Sequence, residues 1–255
     1  MSDDITEAPF TLRDGLNVAL YDWPLPLRQR PRAVVLIVHG LGEHAWRYDP
    51  LAERLNEWGF AVRGYDQRGH GDSGGARGVL PHDDALLEDL LEVVEDTRRH
   101  IADPWACPLV LLGHSMGGLV AAEFVRRGLA PVDALALSNG LNPQAISHDP
   151  AVVQAYRQDR HVHDRISARL AHFIVQQGPV VVAAAPSWAV PTLLLWAGAD
   201  RLVRPAGSQA FAAVAPRNVV RSQCLAGQFH EIFNEADPSA AFGALKAWLD
   251  EVAPA

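Results

Sequence analysis

Cysteine is nearly missing from this chain: two of 255 residues, Cys107 and Cys224, too few for a disulfide framework or a cysteine-built metal site. Cys107 precedes a strand-like run and Cys224 ends another, so they belong at opposite edges of a sheet, roughly 17 Å apart, and should be free thiols. Basic charge is scarce as well. With 22 Lys and Arg against 30 Asp and Glu, the net charge is −8 and the pI near 5.7, and no basic block offers a footprint for nucleic acid or an anionic bilayer. No apolar run approaches the roughly 18 residues that span a membrane. The opening Met1-Ser2-Asp3-Asp4 is acidic where a secretory signal would be basic and then apolar. Internal repeats, low-complexity tracts and a Gly-x-x-x-x-Gly-Lys phosphate loop are absent too. These absences lead us to expect a soluble, cytoplasmic protein with a small-molecule substrate. What is present, 49% apolar and 20% charged residues, is a globular composition that can bury a large core.

Short apolar runs alternate with segments of helical length. Residues 10–12 and 18–23 flank Asp14-Gly15, which tolerates the positive φ of a tight turn, so they read as a hairpin. Residues 33–38, 61–65, 109–112, 134–137, 193–196 and 219–225 are continuous apolar or nearly apolar runs, as expected of parallel strands covered on both faces. Helical spacing marks residues 46–58, 84–102, 116–128, 205–215 and 238–252. The pattern predicts an α/β fold with a mostly parallel, doubly wound sheet and a site at the carboxyl ends of its strands. From 139 to 187 no parallel strand is evident, while Ile166, Leu170, Phe173 and Ile174 share one helical face. We read 1–138 and 188–255 as the two parts of a core and 139–187 as a short helical cap between them.

The chemistry is concentrated in Gly113-His114-Ser115-Met116-Gly117, between a buried strand and a helix. A strand turning sharply into a helix holds its turn residue in a strained backbone and exposes it at the helix N-terminus, and glycines two before and two after permit the close approach this requires. Ser115 is therefore the expected nucleophile. Gly71-Asp72-Ser73-Gly74-Gly75 has the same pattern, but it follows polar loop and leads into no helix. Gly69-x-Gly71-x-x-Gly74 is likewise a dinucleotide fingerprint without its helix, so no nucleotide cofactor is expected. A serine on such an elbow needs an acid and then a histidine further along the chain. Asp200, just past the run 193–196, is the expected acid, and of eleven histidines only His230 follows it. The glycine turn after 34–38 frees the Leu41 N–H, and Met116 supplies a second donor, for a developing oxyanion. Gly40 and His114 adjoin these groups and are placed at the substrate site. His161-x-His163 could nominally chelate a metal, but we recognise no clustered third ligand, so no metal is expected.

Taken together, His39-Gly-Leu-Gly-Glu-His44 with Arg47-Tyr48, Asp66-x-x-Gly69-His-Gly71-x-Ser73-x-Gly75, Gly113-His-Ser-Met-Gly-Gly118, Gly198-x-Asp200 and His230-Glu231-x-x-Asn234-Glu235 resemble the monoacylglycerol lipase and lysophospholipase branch of the α/β-hydrolases. The resemblance covers most of the chain. It implies an eight-stranded sheet, a Ser115/Asp200/His230 triad, a Leu41/Met116 oxyanion hole and hydrolysis of single-acyl lipid esters without a cofactor. It also implies that Gly69 to Gly75 form structural turns and that the cap touches membrane surfaces only transiently. The cap departs from the pattern, since Ser138-Asn139-Gly140-Leu141-Asn142-Pro143 runs quickly into polar sequence. A missing first wall should leave Ser115 open to solvent, with Ile146, Val152, Val153, Ile166, Leu170 and Ile174 as remaining liners and short to medium acyl esters preferred. Two alternatives stand beside the esterase reading: a non-catalytic ligand-binding module of the same fold, and haloperoxidase-like or amidase activity on the same triad.

Overall fold

The computed structural model describes residues 6–139, 146–200 and 205–254, with only the backbone of Thr6 and Asn139. Its strands are β1 (Thr6–Thr11), β2 (Asn17–Trp23), β3 (Val34–Val38), β4 (Ala61–Tyr65), β5 (Leu109–His114), β6 (Ala134–Asn139), β7 (Thr192–Ala197) and β8 (Val220–Leu225). They form one sheet of eight in the order β1-β2-β4-β3-β5-β6-β7-β8. β1 and β2 pair antiparallel, as do β2 and β4, and all other neighbours are parallel. Gly15 turns the first hairpin at φ 85°, and Leu16 donates its N–H to Asp14 Oδ1 at 2.9 Å.

The central strands read as unbroken apolar runs because each serves two cores. Val34, Leu36 and Val38 of β3 join Leu109 and Leu111 of β5 on one face, while Val35, Ile37, Val110 and Leu112 pack on the other. A strand covered on both faces has no polar side to alternate with. The run 219–225 was expected to be covered in the same way and is not. β8 is the outer strand, and burial reaches only its ends, Val220 and Leu225, leaving Arg221, Ser222, Gln223 and Cys224 exposed. Both cysteines are free, Cys107 buried and Cys224 exposed.

Eight α-helical segments fall among the described residues: α1 (Asp49–Glu57), α2 (Ala85–Thr97), the single turn α3 (Asp103–Trp105), α4 (Met116–Arg127), α5 (Pro150–Gln158), α6 (Ala168–Ala184), α7 (Ala206–Val214) and α8 (Ser239–Val252). The expected helix 46–58 begins as a tighter turn, Ala45–Tyr48, before Pro50 opens α1. The expected helix 84–102 widens after α2 into a π turn, Arg98–Ala102. Within the predicted cap, α5 starts where Asp149 accepts from the Ala151 N–H and α6 where Ser167 accepts from Leu170, ordinary side-chain caps for orphan N–H groups. The start of that segment, residues 140–145, lies outside the described residues. α6 lies across α4 and α7. Among the described residues no helix is long and apolar enough to cross a membrane.

Candidate active site

Ser115 stands between β5 and α4 with φ 54° and ψ −122°, a backbone conformation that L side chains adopt only under constraint. The constraint is visible on every side. The Ser115 N–H donates to Ser138 O of β6 at 2.7 Å, and its carbonyl accepts from the Leu119 N–H at 3.1 Å. A Cβ on Gly113 would meet Gly118 Cα at 2.6 Å, and one on Gly117 would overlap the Val38 and His39 carbonyls. Both positions therefore require glycine for backbone to approach backbone. Gly40, placed at the site from sequence, is also a packing glycine, since its missing Cβ leaves room for Ser115 Cβ.

Ser115 is only 7% exposed, which corrects the expectation of an open nucleophile. The cause is α6: Ile174, Gly178, Pro179, Val181 and Val182 roof an apolar cavity of about 420 Å³ whose floor includes Ser115, Met116, Leu119, Leu137, Leu194 and Phe211. A second cavity, of about 580 Å³, has an apolar lining interrupted by many ionisable side chains, and for these it is called the polar cavity. Leu41, Glu43, His114, Ile146, Tyr156, Asp159, His230 and Glu231 line it. Of the other expected liners, Leu170 is buried in the core, Ile166 is 46% exposed, and neither these nor Val152 lines either cavity. Val153 lines a separate recess beside His148.

The loops after β5, β7 and β8 bring Ser115, Asp200 and His230 to one edge of the sheet. Asp200 Oδ2 faces His230 Nδ1 at 3.5 Å, close enough for its charge to keep that nitrogen protonated. His230 Nε2 lies 3.1 Å from His114 Nε2, and His114 Nδ1 lies 2.8 Å from Ser138 Oγ. With Nδ1 of His230 carrying the proton, His114 must donate through Nε2 and accept from the Ser138 hydroxyl. The lone pair of His230 is thus turned to His114. Ser115 Oγ is buried with no hydrogen-bond partner among the described residues. Burial lowers the pKa of His230 to about 4, against the opposing pull of Asp200; burial likewise lowers that of His114. Both rings are neutral at pH 7. Met116 is the first residue of α4, so its N–H is one of the helix's orphan donors. Leu41 follows Gly40 above it and lines the polar cavity.

A buried ionic cluster beside these residues was not foreseen. Arg47 donates to both oxygens of Glu231, at 2.6 and 2.7 Å, and to Glu43 Oε2 at 3.3 Å. Glu43 Oε1 also accepts from the Tyr48 hydroxyl at 2.7 Å and from the Gly40 N–H at 2.5 Å. The loop after β3 is therefore pinned to the His230 loop through one guanidinium. The residues stood in the motifs, but a pairing across 184 positions leaves no periodic trace in a sequence. The second Gly-x-Ser-x-Gly is a turn, as expected. Ser73 Oγ donates to Asp66 O and accepts from the Ala19 N–H. His39, too, is structural, with Nδ1 against Gly40 O at 2.7 Å and Nε2 accepting from the Gln67 N–H at 2.9 Å. His161 and His163 are not brought together on one ion: His163 Nε2 faces Gly69 O at 3.1 Å, whereas His161 Nε2 faces Asp72 at 3.2 Å.

In comparison with known proteins, residues 29–142 and 132–237 match the family described as serine aminopeptidase, S33. The chain is 31% identical, over 86% of its length and 88% of the relative's, to a monoacylglycerol lipase of Mycolicibacterium smegmatis. It is 30% identical over 93% of its length to an uncharacterised abhydrolase domain-containing protein of Dictyostelium discoideum, of which it spans 28%. The crystal structure of a monoacylglycerol lipase from Paleococcus ferrophilus superposes with a TM-score of 0.78 at 27% identity, covering 93% of this chain and 99% of that one.

Proposed function

The chain belongs to this serine aminopeptidase S33 family of α/β-hydrolases, and from that premise we propose that it hydrolyses single-acyl lipid esters, monoacylglycerols or lysophospholipids, through an acyl-enzyme on Ser115. The observation that carries the reading is the setting of Ser115. Its strained backbone holds a hydroxyl with no hydrogen-bond partner among the described residues at an apolar cavity suited to an acyl chain, with the polar cavity of His230 beside it for a glycerol-sized head group. The relatives named as monoacylglycerol lipases support the substrate class.

In this reading His230 swings Nε2 from His114 to Ser115 as substrate binds, a tightening commonly reserved for the bound state. Nε2 takes the hydroxyl proton while Oγ attacks the ester carbonyl, and Asp200 orients and stabilises the imidazolium through Nδ1–H. The carbonyl oxygen, now negative, lies between the Leu41 and Met116 N–H groups. His230 returns the proton to the departing alcohol, leaving an acyl-enzyme. Water, deprotonated by the same nitrogen, then releases the fatty acid and Ser115. The two buried carboxylates of the polar cavity, Glu43 and Glu231, are both occupied by Arg47, so neither is open to a substrate's ammonium group.

The test is covalent labelling with a fluorophosphonate probe beside turnover of monoacylglycerols and p-nitrophenyl esters. Wild type should label once, and Ser115→Ala should lose labelling and about a millionfold in turnover. Ser73→Ala should keep both. Undiminished labelling of Ser115→Ala would sink the proposal, and a wild type that never labels would favour a ligand-binding module.

A further inference from the structure

Among the described residues, one cluster of metal-competent side chains lies outside Ser115, Asp200 and His230. His44 and the pair Asp159 and His161 offer ligand atoms that all lie within 4.8 Å of one another. His44 comes from the loop after β3, and the other two come from the segment joining α5 to α6. His44 Nε2 is 2.7 Å from Asp159 Oδ2. His161 Nδ1 is 3.8 Å from Asp159 Oδ1, which also accepts from the His161 N–H at 2.8 Å. The outer nitrogen, His161 Nε2, points at Asp72 Oδ1 at 3.2 Å.

We propose that His44 Nε2, Asp159 and His161 Nδ1 form a binding site for a zinc-type divalent transition metal, with Asp72 as the carboxylate that orients His161. Two imidazoles and one carboxylate are the donor set of open zinc sites and are too nitrogen-rich for calcium or magnesium. A ligating histidine usually gives its other N–H to a carboxylate, and Asp72 stands where that partner is required. With metal–ligand bonds of about 2.0–2.2 Å in tetrahedral geometry, His44 Nε2 and Asp159 Oδ2 must part by roughly 0.6–0.9 Å. Rotation of the Asp159 carboxylate supplies that opening. The ion takes the place of the hydrogen between these two atoms, so His44 binds with its proton on Nδ1. The fourth position is left to water.

The site joins separate parts of the chain. Asp159 lines the polar cavity, while His44 sits one residue after Glu43 and Asp72 belongs to the Gly69–Gly75 turns. The intervening segment is already seated there, since the His163 N–H donates to Gly42 O at 2.8 Å. A bound ion fastens the α5–α6 connection to the core across the mouth of the polar cavity. The spacing His161-x-His163 misses this site because its third ligand comes from more than a hundred positions away and His163 is not one of the three.

The experiment is calorimetric titration of zinc sulfate into chelator-stripped full-length protein, with thermal melts alongside. The expected result is one ion per chain with a micromolar Kd and a Tm that rises with zinc. His161→Ala and His161→Gln should abolish both effects, Asp72→Asn should weaken binding by about tenfold, and His163→Ala should retain it. Cobalt(II) gives a second readout in the visible absorption of a four-coordinate ion, lost in either His161 variant. Absence of stoichiometric binding, or an unchanged Kd in both folded His161 variants, would overturn the site. None of these readouts depends on ester turnover, so their failure leaves the assignment of Ser115 where it was.

Discussion

Arg47 holds two buried carboxylates at once. Burial alone would raise the pKa of Glu43, but its interactions with His114 and with the Arg47 guanidinium outweigh it and hold the carboxyl below its usual range. Removing the guanidinium would leave Glu43 and Glu231 facing each other without a counter-charge. Arg47→Met should therefore cost about 3–5 kcal/mol, the usual penalty for breaking a buried pair from one side, visible as a lower denaturant midpoint with an unchanged slope. An unchanged midpoint would mean that water already screens the cluster. Asp200→Asn, by contrast, should leave the midpoint in place and lower turnover by about 10⁴ through a misdirected imidazole. Since burial holds the His230 pKa near 4, this base is neutral well below the usual histidine range. The acid limb of kcat/KM should accordingly fall near pH 4 to 5; a limb at 6.5 would show that the ring is hydrated during turnover.

At the level of elements, α6 roofs the cavity that Ser115 lines. Gly178 lies on its cavity face, and a Cβ there would meet nothing within 4 Å. Gly178→Leu should fill acyl space, with the roughly 1 kcal/mol of helix propensity it gains opposed by crowding of its Cβ against the Pro179 ring. Long-chain esters should lose kcat/KM relative to butyrate, since each excluded methylene forfeits about 0.8 kcal/mol of burial. Equal loss for butyrate and laurate would place the acyl chain elsewhere. The same helix marks the limit of what could be read from sequence. Its amphipathic face at Leu170 and Phe173 was legible, as were the strands and the Gly113–Gly117 turn, because periodicity and glycine spacing are local. That Ile174, Gly178 and Pro179 close over Ser115 was not, for it depends on how α6 lies on α4 and α7. The motifs likewise named Ser115, Asp200 and His230 as candidates without disclosing that His230 turns its lone pair to His114. Edge position left a trace that the apolar reading passed over: Arg221, Ser222 and Gln223 stand together in the middle of 219–225, where the runs 109–112, 134–137 and 193–196 carry apolar residues.

For the whole molecule, the buried histidines set the response to acid. Burial lowers the pKa of His39 and His114, and takes His70 to about 3 and His230 to about 4. The unfolded chain binds these protons near pH 6.5, so it holds more protons than the folded one below that value. Stability is then complete above pH 6.5 and declines as pH falls from there towards 4, with His230 alone contributing a loss on the order of 3 kcal/mol at pH 4. Urea midpoints at pH 7, 6 and 5 should descend in that order, and a flat series would show that these rings protonate in place. The backbone of Ser115 has a different consequence, one of selection. A positive φ costs a side-chain-bearing residue about 1–3 kcal/mol and costs glycine almost nothing, so Ser115→Gly should melt later than the natural sequence while doing no chemistry. A library of variants sorted for heat resistance alone would drift towards glycine at this position. Only a simultaneous demand for turnover would keep the serine there, and the temperature gap between the two proteins measures how much thermal resistance that demand costs.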